Sequence, residues 1–198
     1  MIKYEVIDNY LSDSDFTELK DNIFPTPVGS IKKGNLSWDY IDRREGDETG
    51  GREERGLGKV TDIEPLTLIH DWYLCHTFLA GPYQSSTLPY VGAILDKIVP
   101  LAVYRIMANL TVQQEKKRRN LFHIDYTNDL TNNISMFTSI FYMNTTNGPT
   151  ILEDGTEIEC RANRFVTFPY NTYHAWTLCT DQPYRIIINF NYFADRKI

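Results

Sequence analysis

Four histidines stand in the 198-residue chain, and two of them sit where they could do chemistry together with a carboxylate. His123 lies in Leu121-Phe122-His123-Ile124-Asp125. On an extended strand residues i and i+2 share a face, so His123 and Asp125 would offer an imidazole nitrogen and a carboxylate oxygen to one ion. His-x-Asp alone is a weak signal, because such pairs arise by chance. His174 follows 49 residues after Asp125, in Tyr173-His174-Ala175-Trp176. Two imidazoles and one carboxylate form the facial triad that suits non-haem Fe(II), with coordination positions left open. Zinc held by three protein ligands is the competing chemistry, since donor type alone does not separate the metals.

Arg185 lies 11 residues beyond His174, after the turn-like Thr180-Asp181-Gln182-Pro183. That places His174 and Arg185 on two arms of one hairpin. Past the turn, Ile186, Ile188, Phe190 and Tyr192 alternate with Arg185, Ile187, Asn189 and Asn191. A strand with Arg and two Asn on one face lines solvent or a polar cavity. Near a metal, the guanidinium would clamp the carboxylate of an anionic co-substrate in a bidentate grip.

The elements that must carry these groups change character along the chain. Tyr4–Ile7 reads as a short strand. Ser12–Asp15 offers helix caps, and Phe16, Leu19 and Ile23 form one apolar stripe ended by Pro25 and Pro27. A second helix is expected from Thr87, with Pro89 in its first turn, a Val91, Ile94, Leu95 and Ile98 face, and Pro100 closing it. Asp42–Lys59 carries five glycines, six acidic and five basic residues. It reads as a solvated loop or, in a functional reading, as a cover over a site. From residue 101, β-branched and aromatic runs recur at Val103–Val112, Leu121–Asp125, Ile134–Met143, Arg164–Phe168, Tyr173–Cys179 and Tyr184–Tyr192. The expectation is a mainly β chain: an antiparallel sandwich or barrel with helices on its outside, forming one domain over 1–198, with 1–100 as support and about 101–193 as the core.

These residues and motifs resemble the Fe(II)- and 2-oxoglutarate-dependent dioxygenases, in their prolyl 4-hydroxylase-like branch. The likeness covers about residues 104–193. It rests on Phe122-His123-Ile124-Asp125, Thr138–Asn144, Asn147-Gly148-Pro149-Thr150, Asn163–Phe168, and His174 with Arg185. Gly148-Pro149 stands where the branch usually has Gly-Gly. The resemblance implies a double-stranded β-helix (jelly-roll, cupin-like) core, with Fe(II) on His123, Asp125 and His174. It implies 2-oxoglutarate as co-substrate, its distal carboxylate on Arg185 with support from the Tyr142 hydroxyl, and Asn109 as a further co-substrate contact. O₂ is the oxidant, ascorbate an optional reductant, and the reaction a hydroxylation of an unidentified substrate, a prolyl or other protein residue or a small molecule. Asp125 argues against halogenase-type variants, which place a small residue there.

Other features bear on partners. Net charge −6 argues against nucleic acid held by bulk electrostatics. Lys116-Lys117-Arg118-Arg119 reads as a solvated loop or as a guide near the barrel mouth for an acidic or nucleic-acid substrate. His70, beside Asp71, and His76 read as structural. Trp176 reads as a pocket wall or as core. The three cysteines lack CxxC spacing, no stretch approaches about 18 apolar residues, and the start lacks a secretory build; a cytoplasmic location is expected. The rival functions are a cupin-like metal enzyme without 2-oxoglutarate dependence and a jelly-roll binding module.

Overall fold

The computed structural model describes residues 2–24, 36–42, 61–63, 72–126 and 135–195. The Asp42–Lys59 segment beyond Asp42, His70 with Asp71, and Pro25 with Pro27 lie outside the described residues. Among the described residues, eleven strands and two α-helices follow in the order β1 (Glu5–Ile7), α1 (Asp13–Ile23), β2 (Asp39–Asp42), β3 (Trp72–Ala80), β4 (Tyr83–Gln84), α2 (Gly92–Ile98), β5 (Ala102–Val112), β6 (Met136–Tyr142), β7 (Thr146–Leu152), β8 (Glu157–Cys160), β9 (Arg164–Pro169), β10 (His174–Trp176) and β11 (Tyr184–Phe193).

Every strand pairing is antiparallel, and two sheets result. The large one runs β1-β9-β6-β11-β5-β3-β2, with β4 on β3; the small one runs β10-β7-β8. Residues 119–125 extend the small sheet beside β10 through isolated bridges, Arg119 opposite Thr177 and His123 opposite His174. Four segments of the large sheet (β5, β11, β6, β9) face four of the small one, which is the jelly roll.

The alternation along β11 sorts its side chains between two layers. Ile186, Ile188 and Phe190 bury with Ile106, Leu19, Ile23 and Ile94 on the helix side. Ile187 packs between the sheets with Tyr142, Leu152 and Phe168, and Arg185 and Asn191 point the same way, bonding Thr150 and Asp125. Helix α1 forms as its sequence predicts: Ser12 Oγ accepts from Asp15 N at 3.2 Å, Asp13 and Asp15 complement the dipole in the first turn, and Leu19 and Ile23 are buried.

The second helix departs from expectation. Leu88–Val91 is a 3₁₀ turn, and α2 spans only Gly92–Ile98. Thr87 makes no cap bond, because its Oγ1 is shared with His76 Nε2 at 2.7 Å and Ser85 Oγ at 2.8 Å. Val99 ends α2 in a left-handed conformation (φ 48°), its N–H bonding Leu95 O, and Pro100 bars any continuation.

The expected strand at Leu121–Asp125 is reduced to its bridges, while β2, β3, β7 and β8 were not among the expected strands. Pro149 disguised β7: lacking an N–H, it sits in a strand where the pairing with β8 shifts register between Thr146 and Thr150. Among the described residues, no helix is long and apolar enough to cross a membrane. The three cysteines are free and buried.

Candidate metal centre

His123 and His174 are held by their backbones. Each N–H donates to the other's carbonyl at 3.0 Å, and directly opposed residues of an antiparallel pair share a face. Their ring centroids stand 4.6 Å apart, and the Phe168 ring backs His174 at 5.0 Å. Each Nδ1 lies 3.1 Å from a carbonyl two residues earlier, Leu121 O and Thr172 O respectively. A carbonyl only accepts, so the neutral His174 ring carries its proton on Nδ1 and turns its Nε2 lone pair outward, while His123 Nδ1 lies between the Leu121 carbonyl and the Asn120 amide nitrogen at 3.2 Å.

Both Nε2 atoms face Asp125, at 3.7 Å and 4.0 Å from its Oδ1. The ligand atoms of His123, Asp125 and His174 all lie within 4.8 Å of one another. Adjacent ligands around an ion at about 2.1 Å are about 3 Å apart, so contraction of these separations by about 1–2 Å would complete such a centre. Burial works to raise the Asp125 pKa, but Arg105, the two histidines and Asn191 outweigh it and hold the carboxyl well below the usual carboxylate range. Asp125 therefore stands ready as an anionic ligand.

Arg185 is 1% exposed, a cation that must be answered inside the fold. Its Nε donates to Gly148 O at 2.9 Å and its Nη2 to Thr150 Oγ1 at 3.1 Å. The Tyr142 hydroxyl donates to the same Thr150 oxygen at 2.8 Å, and the guanidinium carbon lies 5.7 Å from the Tyr142 ring centroid. Two bonds from five guanidinium N–H groups leave donors over for a ligand. Burial pushes the Tyr142 hydroxyl up, against the pull of Arg185 and Thr150, so it stays protonated and a donor. The approach of β7 to the 177–179 segment needs glycine: a Cβ at Gly148 would meet Thr177 O at 2.6 Å.

Asn109 lies on β5 opposite Ile187, on the interior face, and its buried Oδ1 has no partner among the described residues. Thr111 Oγ1, opposite Arg185, and Asn189 Oδ1 are likewise buried without partners among them. Buried polar atoms are rarely left orphaned unless a ligand or water answers them. Three orphans on the Arg185 face fit a polar co-substrate, and the two-imidazole, one-carboxylate donor set fits Fe(II).

The structure thus brings His123, Asp125 and His174 together and gathers Arg185 with Tyr142, with Asn109 on the same sheet face. The sequence reading missed Thr150, Arg105 and Thr111. On β5 the alternation Arg105, Met107, Asn109, Thr111 carried the signal already read on β11; Thr150 was hidden with β7. The basic run is exposed at Lys116 and Lys117, as a solvated loop requires, and departs from that expectation at Arg119. Arg119 is buried, its guanidinium 4.8 Å over the Phe122 ring, and its bridge to Thr177 sets it beyond His174 in the direction of Cys179. Arg118 O accepts from Leu178 N, so the run leads away from the His123–His174 pair. His76 is buried between Ser37 O at 2.8 Å and Thr87 Oγ1, a structural role. Trp176 is half-buried and meets the Tyr73 ring at 6.5 Å.

No protein-family model matches the chain, and no curated protein matches it in sequence. Solved structures match it in fold. A viral collagen prolyl hydroxylase from Paramecium Bursaria Chlorella virus-1, in a 2-oxoglutarate complex, is 14% identical with TM-score 0.52 over 97% of this chain and 96% of its own. A prolyl hydroxylase from Trichoplax adhaerens, bound to a hypoxia inducible factor peptide, is 14% identical with TM-score 0.53 over 96% and 83%. The non-haem α-ketoglutarate-dependent carbocyclase SnoK of nogalamycin biosynthesis is 13% identical with TM-score 0.55 over 97% and 79%. The fold is the one these 2-oxoglutarate- and Fe(II)-dependent oxygenases share, prolyl hydroxylases among them.

Proposed function

We propose that the chain is an Fe(II)- and 2-oxoglutarate-dependent oxygenase of the prolyl 4-hydroxylase-like type, with 1–198 as one oxygenase domain. The observation that carries this reading is the convergence of the three ligand atoms within 4.8 Å, in a sandwich whose interior also buries Arg185 and three orphaned polar atoms. His123, Asp125 and His174 would hold the metal. When bound, Fe(II) would supply the redox chemistry by which O₂ is activated. Overall, a substrate C–H, O₂ and 2-oxoglutarate become a C–OH, succinate and CO₂.

The protein's own groups do the positioning. Arg185 neutralises and orients the distal carboxylate of 2-oxoglutarate through its spare N–H donors, and the protonated Tyr142 hydroxyl completes that grip. Asn109, Thr111 and Asn189 offer hydrogen-bonding atoms along the same face. The Thr172 carbonyl keeps the His174 Nε2 lone pair aimed at the metal position, and Leu121 O and the Asn120 amide hold the orientation of the His123 ring. The primary substrate is read as a protein residue, prolyl or other, following the hydroxylases of like fold, one of which holds a peptide.

Anaerobic reconstitution with Fe(II) and 2-oxoglutarate tests the reading. The expected result is the visible charge-transfer band of the chelate, followed by stoichiometric succinate when O₂ is admitted. Metal uptake with neither band nor succinate would instead establish a cupin-like metal protein without 2-oxoglutarate dependence.

A further inference from the structure

Asp125 has two carboxylate oxygens, and only one faces the imidazoles. Oδ1 lies 3.7 Å and 4.0 Å from the two histidine Nε2 atoms, whereas Oδ2 accepts from Asn191 Nδ2 at 2.9 Å. Asn191 is fully buried, and its amide has one possible orientation. Arg105 Nε donates to its Oδ1 at 3.1 Å. A guanidinium can only donate, so the amide oxygen must face Arg105 and the NH₂ must face Asp125. The second amide proton goes to Thr138 Oγ1 at 3.1 Å. Arg105 Nη2, 3.2 Å from Asp125 Oδ1, closes the circuit. Arg105, Asn191 and Asp125 thus form a three-membered ring in which each edge joins a donor to an acceptor, and each residue serves two edges.

We propose that Asn191, oriented by Arg105, is a positioning residue that confines Asp125 to a single donor oxygen at the metal. The inference rests on the reading of His123, Asp125 and His174 as ligands. Carboxylates bind ions through one oxygen or both, according to what else engages them. With Oδ2 held by the Asn191 amide, the chain supplies three donors and an octahedral ion keeps three positions open. Release of Oδ2 would let Asp125 chelate and fill a fourth position. Only two would then remain, too few for a two-donor co-substrate and O₂ together. The ring therefore bears on coordination number, a property apart from merely holding the ion.

Cobalt(II) bound anaerobically to the full chain is the probe, because its visible bands report coordination number. The wild-type chain is expected to bind one equivalent and to change its bands when 2-oxoglutarate is added. Asn191→Leu, similar in volume but without the donor, should weaken cobalt affinity about 10–100-fold, displace the bands before 2-oxoglutarate is added, and blunt the change it induces. Arg105→Met, at a side chain 25% exposed and so tolerant of replacement, frees the amide to flip and should displace the bands in the same direction. It decides the matter if Asn191→Leu does not fold by circular dichroism. Wild-type bands in the folded variants, even with altered affinity, would reduce the ring to a charge effect and overturn the proposal. A wild-type chain that takes up no cobalt, or a His123→Ala chain that binds it as tightly, would overturn the metal-centre reading itself.

Discussion

His123 and His174 exchange both backbone hydrogen bonds, each N–H reaching the other's carbonyl at 3.0 Å. This pairing belongs to the main chain, so it survives loss of either imidazole. His123→Ala and His174→Ala should therefore stay folded while Fe(II) affinity falls by more than about 100-fold, beyond the range typical of outer-shell partners. Anaerobic equilibrium dialysis with colorimetric iron detection measures this. Retained iron at wild-type affinity would exclude the pair as ligands.

Arg185 and Tyr142 should separate metal binding from co-substrate binding. Arg185→Met removes charge-assisted bonds worth together about 3 kcal/mol, so kcat/KM for 2-oxoglutarate should fall about 100-fold or more with Fe(II) uptake unchanged. Tyr142→Phe keeps the ring and loses a single hydroxyl, an effect of about 1 kcal/mol and hence about fivefold. Succinate release at varied 2-oxoglutarate gives both values. Equal KM in wild type and Arg185→Met would remove the guanidinium from the site.

Gly148→Ala tests the close approach of β7 to the 177–179 segment. The new methyl would meet the Thr177 carbonyl at 2.6 Å and Cys179 N at 3.2 Å, both backbone atoms that cannot swing away. A cost of about 1–3 kcal/mol is expected, which for a chain of this size lowers Tm by about 2–4 °C per kcal/mol. Since Gly148 O also receives Arg185 Nε, the KM for 2-oxoglutarate should rise as well.

Asp8 tests electrostatics remote from the centre. Its carboxylate accepts from Arg164 Nε at 2.6 Å and Nη2 at 2.9 Å, tying the segment after β1 to β9. Chiefly through that hydrogen bonding, Arg164 lowers the Asp8 pKa below the ordinary carboxylate value. The folded state thus favours the ionised form. The contribution is complete above about pH 4 and disappears as pH falls through the lowered value. Asp8→Asn should lower Tm at pH 7 by an amount worth at most about 1 kcal/mol, as suits a half-exposed pair, and the difference should close once the pH falls below the lowered value. Thermal scans of both chains across that range decide it.

Much of the candidate site was legible because it obeys strand periodicity. Arg185 and Asn191 fall on a shared face by alternation alone, and the His-x-Asp spacing brought out His123 and Asp125 although Leu121–Asp125 forms only a bridge. The roles of Arg105 and Thr150 were not legible, since each depends on which strand lies opposite, and register is a long-range property. β3 hid because Trp72–Ala80 mixes buried and half-buried positions, with Cys75 and His76 buried in succession, so its run lacks a clean two-residue period. β7 hid behind Asn147-Gly148-Pro149, which as isolated residues signals a turn. The shortened α2 reflects Thr87, whose hydroxyl is spent on His76 where helix-capping preference alone would place it on the backbone.

The three candidate ligands stand on the small sheet and its bridged neighbour, whereas Arg185 and Asn109 stand on the large one. A molecule grasped at both ends, by iron on one wall and guanidinium on the other, would act as a rivet between the two walls. Loading would then stiffen the whole barrel, and the spent product, offering a lone carboxylate where the keto acid offered two donors, would let the walls relax and leave.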